Sequence, residues 1–190
     1  ALGDQRGAVV AIDPRNGGVL ALVSNPGFDS NLFVNGISTR DYSALRDSKD
    51  TPLLNRAVQG QYPPGSTVKP MLGLAGLELG LITPSFTVPD PGWYSLPGDA
   101  RRYRDWILRI RGTGHAPEVD LRMAIAESCD VYYYDLARRM GIDRLAGALA
   151  PYGFGRESEL DITSEQSGIL PSPEWKRGSV GQTWYPGGTL

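Results

Sequence analysis

The 190-residue chain has a single cysteine, Cys129, and a single histidine, His115. One cysteine excludes an internal disulfide framework and leaves the redox compartment open. No block of basic residues occurs and the formal net charge is -2, so nothing here attracts a polyanion such as nucleic acid. No run of about 18 apolar residues exists, and no segment reads as a membrane span or a secretory leader. Internal repeats and low-complexity tracts are absent as well. What remains is ordinary globular usage, 41% hydrophobic and 21% charged, in a length that suits one domain over residues 1–190. Both ends read as cuts: residue 6 leads straight into a strand pattern, and Gly187-Gly188-Thr189-Leu190 stops in mid-phrase.

Residues 7–12 and 18–23 are apolar runs of strand length, and Asp13-Pro14-Arg15-Asn16-Gly17 between them carries an Asn-Gly turn signal, which predicts a β-hairpin. Residues 25–55 are polar and predict a surface excursion with at most a short helix near 41–45. A Pro- and Gly-rich loop surrounds Trp93, and the arginine-rich stretch 101–111 follows with Trp106. Those arginines read as a solvated basic strip, with anion binding as the other reading. Residues 121–126 and 131–140 predict helices, the second stopped by Gly141, and a further short helix is predicted near 143–150. Residues 157–190 are loop-rich and carry no legible chemistry.

Between Arg56 and Asp90 the only charged residues are Lys69 and Glu78, so the segment through Leu79 predicts a helix that is apolar nearly all round and buried. Pro63 and Pro64 hold the approach extended, Gly65 permits a tight turn, and Ser66 falls at the helix start. Pro70 sits in or just past the first turn, which it should make irregular. Lys69 lies one turn beyond Ser66 on the same face. Serine is a poor nucleophile unless a base takes its proton, and a solvated lysine is protonated and cannot. Burial in an apolar helix disfavours the cation, and a shift of about three pH units toward the neutral amine corresponds to roughly 4 kcal/mol. Free N–H groups at the helix N-terminus add stabilisation of negative charge at Ser66. A bare Ser-x-x-Lys arises about once by chance in a chain of this size, so a capping serine beside a surface lysine stays open.

Asp90, Asp105, His115 and Cys129 are residue types that zinc accepts, but their spacing matches no compact metal motif. From the residues alone, a buried cysteine and a surface histidine are the favoured reading.

Pro63-Pro64-Gly65-Ser66-Thr67-Val68-Lys69-Pro70 resembles the first active-site motif of the penicillin-binding protein and serine β-lactamase superfamily. Longer phrases resemble its class B, penicillin-binding protein 2 branch, the transpeptidases of rod-shape elongation. They are Arg6-Gly7-Ala8-Val9-Val10 with Asp13-Pro14, Asn31-Leu32-Phe33-Val34-Asn35-Gly36-Ile37-Ser38, Pro91-Gly92-Trp93, Tyr103-Arg104-Asp105-Trp106 and Met140-Gly141-Ile142-Asp143-Arg144-Leu145. The resemblance runs nearly the full chain.

It implies an α/β transpeptidase fold, an antiparallel sheet flanked by helices with the Ser66 helix central, incomplete at the C-terminus. It implies peptidoglycan stem peptides as substrate, β-lactams as inhibitors trapped on Ser66, Lys69 as the base of acylation, and no catalytic cofactor. The second family motif maps to Ser128-Cys129-Asp130, with Ser128 relaying a proton. Asp130 replaces the commoner Asn there, which eases an interaction with Lys69, and it could also cap the helix that follows. The third motif, Lys-Thr-Gly, has only Gly187-Gly188-Thr189 as a counterpart, without its lysine. In the family that strand supplies an oxyanion donor worth about 3 to 4 kcal/mol, so residues 1–190 alone are expected to be inactive. Resemblance to members that carry a structural zinc also implies a four-ligand site of Asp90, Asp105, His115 and Cys129. A tether to the inner membrane, a periplasmic location, and glycosyltransferase and elongation-complex partners are implied for the whole protein. Other readings are a β-lactamase-type hydrolase, for which Glu127 and Glu165 are unplaced acids, and a non-catalytic β-lactam sensor or scaffold.

Overall fold

The computed structural model describes residues 2–175. They fall into two compact units, Ala1–Tyr62 with Arg156–Gly168, and Pro63–Gly155 with Ile169–Leu190. Gly187, Gly188 and Thr189, set against the third motif, lie outside the described residues.

In the first unit the apolar runs pair as predicted. Strands β1 (Gly7–Ile12) and β2 (Val19–Asn25) form an antiparallel hairpin running from Gly7 opposite Asn25 to Ile12 opposite Val19, with a register shift between Ala11 and Ile12. Its turn closes on side chains: Asn16 Oδ1 accepts the Gly18 N–H at 2.8 Å, and Gly17 takes a positive φ of 76°. The polar excursion holds helix α1 (Thr39–Arg46), where Ser38 caps the Asp41 N–H and returns its own hydroxyl proton to the Asp41 carboxylate. Helix α2 (Arg56–Gln59) follows; its buried Arg56 is held by the Asp50 and Thr51 carbonyls and the Thr51 hydroxyl.

The second unit is built on helix α3 (Lys69–Glu78) packed against α6 (Asp130–Leu149), with α5 (Leu121–Ala126) beside them. Glycines make the close approach possible. A Cβ at Gly73 would stand 2.9 Å from Leu121 Cδ1, and one at Gly76 would stand 2.9 Å from Leu136 Cδ1. The expectation that α3 is buried nearly all round is corrected: Leu74 is 45% exposed, because one face alone meets α5 and α6. The core gathers Val119, Ala124, Val131, Tyr132, Leu136 and Met140. Gly141 breaks α6 with φ 74° and ψ 162°, where the sequence placed a helix stop followed by a second helix.

Between α3 and α6 the chain forms β3 (Thr87–Val88), β4 (Trp93–Tyr94), β5 (Tyr103–Arg104), the short helix α4 (Leu108–Arg111) and β6 (Val119–Asp120). β3 pairs with β6 and β4 with β5, both antiparallel. Mixed helix and antiparallel sheet is as expected, with the strands of the described residues paired two by two. They make three separate two-stranded ladders. β3 to β6 are two residues each, with Pro89, Pro91 and Gly92 between β3 and β4 and with Pro97 and Gly98 between β4 and β5.

Candidate active site

The serine and lysine of the first motif belong to different helical geometries. Ser66 sits in a 3-10 turn, Gly65–Val68, and α3 starts only at Lys69, with Pro70 in its first turn. Proline removes an N–H, so the irregular entry expected there is present, and Gly65 makes the turn with φ 58°. Ser66 is exposed, and Lys69 is 7% exposed.

Lys69 reaches Ser66 through a third residue. Its Nζ lies 3.1 Å from Ser128 Oγ, and Ser128 Oγ donates to Ser66 Oγ at 2.8 Å. The same Nζ donates to the Ser128 carbonyl at 2.8 Å and to Asp130 Oδ1 at 2.6 Å. Three acceptors match the three donors of an ammonium. The burial expected of Lys69 is present, and the atoms that meet Nζ are polar, with the Tyr133 ring centroid 5.5 Å away. The second motif had placed Ser128 and Asp130 at Lys69; the Ser128 main-chain oxygen is the acceptor that the sequence did not announce.

The Ser128 turn owes its shape to how α5 ends and α6 begins. The Cys129 N–H returns to the Ala124 carbonyl at 3.0 Å, and Ser128 adopts a positive φ of 54°, a conformation that disfavours a residue with a Cβ. The N-cap of α6 is Cys129 and not Asp130, which is the first helical residue. Asp130 is thereby free to meet Lys69, and the capping role expected of it passes to neighbours. Cys129 Sγ accepts the Tyr132 N–H at 3.5 Å, while Asp105 Oδ2 accepts the Asp130 N–H at 2.7 Å and the Val131 N–H at 3.2 Å. Trp106 adds an indole N–H to the Ser128 carbonyl at 3.1 Å. Asp105 as a helix cap and Trp106 as a donor are functional contacts that the sequence reading missed; the aromatic directly after an acid in a loop was the only signal.

The four residues read as zinc ligand types also converge. One ligand atom from each of Asp90, Asp105, His115 and Cys129 lies within 4.8 Å of all the others. The surface histidine favoured from residues alone is corrected, since the His115 side chain has no exposure. Its Nε2 stands 3.1 Å from the Glu127 carbonyl, an atom that only accepts, so Nε2 carries hydrogen. Nδ1 then faces Asp90 Oδ2 at 2.8 Å and Asp105 Oδ2 at 3.7 Å. Nδ1 is thus the ring nitrogen turned toward the two carboxylates, the side from which a metal ion could be held. Burial would raise the Asp90 carboxyl, but the N–H groups of His115 and Gly92 outweigh it and hold it below the usual carboxylate range. Burial pushes the Cys129 thiol up to about 12, so without a metal it keeps its proton. Gly114 lets the cluster close: a Cβ there would lie 1.9 Å from the Asp90 carbonyl oxygen.

The two unplaced acids are engaged elsewhere. The Glu127 carboxylate pairs with Arg111 at 3.5 Å, and Glu165 accepts the Ser158 N–H at 2.8 Å in the other unit.

Comparison with known proteins agrees with this geometry. Residues 7–185 match the model of the penicillin binding protein transpeptidase domain. The peptidoglycan D,D-transpeptidase MrdA of Acinetobacter baumannii is 49% identical over 189 residues, covering 100% of this chain and 27% of that protein. The crystal structure of Pseudomonas aeruginosa PBP2 in complex with WCK 5153 superposes with a TM-score of 0.89 at 51% identity, covering 98% of this chain and 40% of that one. The complex between Helicobacter pylori PBP2 and MreC gives a TM-score of 0.88 at 37% identity, covering 98% of this chain and 34% of that one. The chain thus spans little more than a quarter of the length of the curated relative. With the hydrogen-bonded Ser66, Ser128 and Lys69 on residues that the family match covers, the chain belongs to the penicillin-binding protein transpeptidase family.

Proposed function

We propose that this chain carries the nucleophile and proton relay of a peptidoglycan D,D-transpeptidase that cross-links stem peptides during cell-wall elongation and is a target of penicillin. The observation that supports it most is the continuous path from Ser66 Oγ through Ser128 Oγ to Lys69 Nζ, with hydrogen bonds of 2.8 and 3.1 Å. Ser66 attacks the carbonyl of the penultimate D-Ala. As its O–C bond forms, its proton passes to Ser128 Oγ, whose own proton passes to the amine of Lys69. Asp130, 2.6 Å from Nζ, stabilises the ammonium so formed and holds it facing Ser128. The relay then runs backward and delivers the proton to the departing D-Ala amine, leaving an ester on Ser66. An amine of a neighbouring strand attacks that ester and releases Ser66. In this cycle Lys69 enters as the neutral amine, and the three acceptors around it match the charged state that follows.

A zinc ion suits the cluster of Asp90, Asp105, His115 and Cys129, since the donor set is right and Nδ1 of His115 is the ring nitrogen turned inward. Bound there, the ion would be structural, with all its ligands from the protein. Its ligand Asp105 also caps α6, so metal binding and the position of Asp130 are linked.

No described helix is long and apolar enough to cross a membrane. Attachment to the inner membrane, a periplasmic site of action, and work beside a glycosyltransferase and other elongation proteins belong to this proposal for the whole protein; the MreC complex of the Helicobacter pylori relative supports the last.

The test is mass spectrometry of the full-length protein after penicillin exposure. A single stable adduct on Ser66 is expected. Absence of an adduct overturns the reading, and an adduct that hydrolyses quickly points instead to a β-lactamase.

A further inference from the structure

The arginine-rich segment is a sequence feature that the serine relay leaves unused. Arg104, Asp105, Trp106, Leu108, Arg109 and Asp130 line an open groove of about 520 Å³. Its Asp130 is the carboxylate that meets Lys69 Nζ at 2.6 Å, so the groove opens beside the relay.

The charges in it do not cancel. Asp130 Oδ1 is engaged by Lys69 Nζ at 2.6 Å, and Asp105 is 2% exposed with Oδ2 taken by two backbone N–H groups. Of the neighbouring arginines, Arg101 and Arg102 lie over the rings of Tyr103 and Trp93, and Arg111 pairs with Glu127. Arg104 and Arg109 are exposed, and neither forms an ion pair or a side-chain hydrogen bond among the described residues. Two uncompensated guanidinium groups on one groove select an anion, and their planar fork of donors fits a carboxylate. The volume lies within the range of small-ligand sites, and Trp106 and Leu108 supply an apolar wall for the aliphatic part of a peptide.

We propose that this groove is a subsite for a carboxylate borne by the peptide substrate away from the scissile bond, bound by Arg104 and Arg109. The proposal rests on the transpeptidase reading and adds a charge preference to it. No covalent step is involved.

The experiment compares two thioester peptide donors on the full-length protein, identical except that one bears a free side-chain carboxylate and the other its carboxamide. In the wild type, kcat/KM for the carboxylate donor should exceed that for the carboxamide by about tenfold or more. In the R104Q/R109Q double variant the ratio should fall to within about twofold, and in R104E/R109E it should invert. Equal rates in the wild type, or a ratio retained in both variants, overturn the subsite. Failure of the underlying reading is distinguishable, because penicillin would then leave Ser66 unmodified in the wild type.

Discussion

The indole N–H of Trp106 donates to the Ser128 carbonyl at 3.1 Å, on the same oxygen that Lys69 Nζ reaches at 2.8 Å. One carbonyl thus fixes both the turn that carries the Ser128 hydroxyl and the amine that the hydroxyl must meet. Ser128 sits at φ 54°, so its turn has a conformational penalty that these two donors offset. Trp106→Phe keeps the ring and removes the N–H. We expect acylation by penicillin to slow about five- to tenfold, the worth of one hydrogen bond of roughly 1 kcal/mol, with the loss in the acylation rate constant and not in initial binding. Stopped-flow acylation kinetics separates the two, and a change confined to binding would refute this positioning role.

Ser128 Oγ bridges Ser66 Oγ and Lys69 Nζ, the proposed nucleophile and base. Ser128→Ala leaves Lys69 with its bonds to the Ser128 main-chain oxygen and Asp130 but cuts the route to Ser66. Acylation should fall by about 10²- to 10⁴-fold, the usual worth of a positioned acid–base group. Ser66→Ala should abolish the adduct altogether, and intact-mass measurement reads both.

Asp130 is the partner that makes a buried lysine tolerable. The Lys69 side chain is 9% exposed and that of Asp130 is 26% exposed, so this pair is screened less than a surface one but is not sealed from water. Asp130→Ala leaves the ammonium with carbonyl and hydroxyl acceptors only. A loss of about 1–3 kcal/mol is expected, below the 3–5 typical of a fully buried pair broken on one side. Asp130→Asn should lose less, because its amide oxygen still accepts. Chemical denaturation of both variants checks the order.

How far these contacts were legible in advance depends on their span along the chain. The hairpin from Gly7 to Asn25, the helix of Leu121–Ala126 and the break at Gly141 follow from local pattern and turn chemistry, and they formed where the residues placed them. Ser66, Lys69, Ser128 and Asp130 were found by motif, and the structure brings them together. What surrounds them was not legible. The Asp105 cap on α6 joins residues 25 apart and the Trp106 bond to Ser128 joins residues 22 apart, with no periodicity to announce either. Of the polar setting of Lys69, the second motif announced Ser128 and Asp130, and helical spacing announced nothing. Helical spacing reports which neighbours share a face, whereas the acceptors at Nζ come from another element, 59 and 61 positions on.

The histidine and cysteine cluster predicts a metal. Elemental analysis should find about one zinc per chain, and a strong chelator should lower the melting temperature by several degrees, since a bound ion stabilises the folded state by mass action. Because Asp105 both faces the cluster and caps α6, chelation should also slow acylation of Ser66. Native protein free of zinc, with a melting temperature indifferent to chelator, would overturn the metal site.

Gly114 offers a sharper probe of that cluster, because it touches it only by what it lacks. An added Cβ would lie 1.9 Å from the Asp90 carbonyl oxygen and 2.7 Å from its carboxyl carbon, and both sides of the contact are tied down. The Asp90 carboxylate accepts the Gly92 N–H at 2.7 Å and the His115 N–H at 2.8 Å, so it cannot swing aside without losing them. Gly114→Ala should therefore cost about 3 kcal/mol or more, the scale of overpacking combined with broken buried hydrogen bonds, and should lower zinc content with it. Gly112 is the control: a Cβ there meets nothing within 4 Å, but its φ of 72° strains any L residue. Gly112→Ala should lose about 1 kcal/mol through that strain alone and keep its zinc. Thermal melts and metal content of the two variants, measured side by side, separate a steric role at Asp90 from the general cost of replacing a loop glycine.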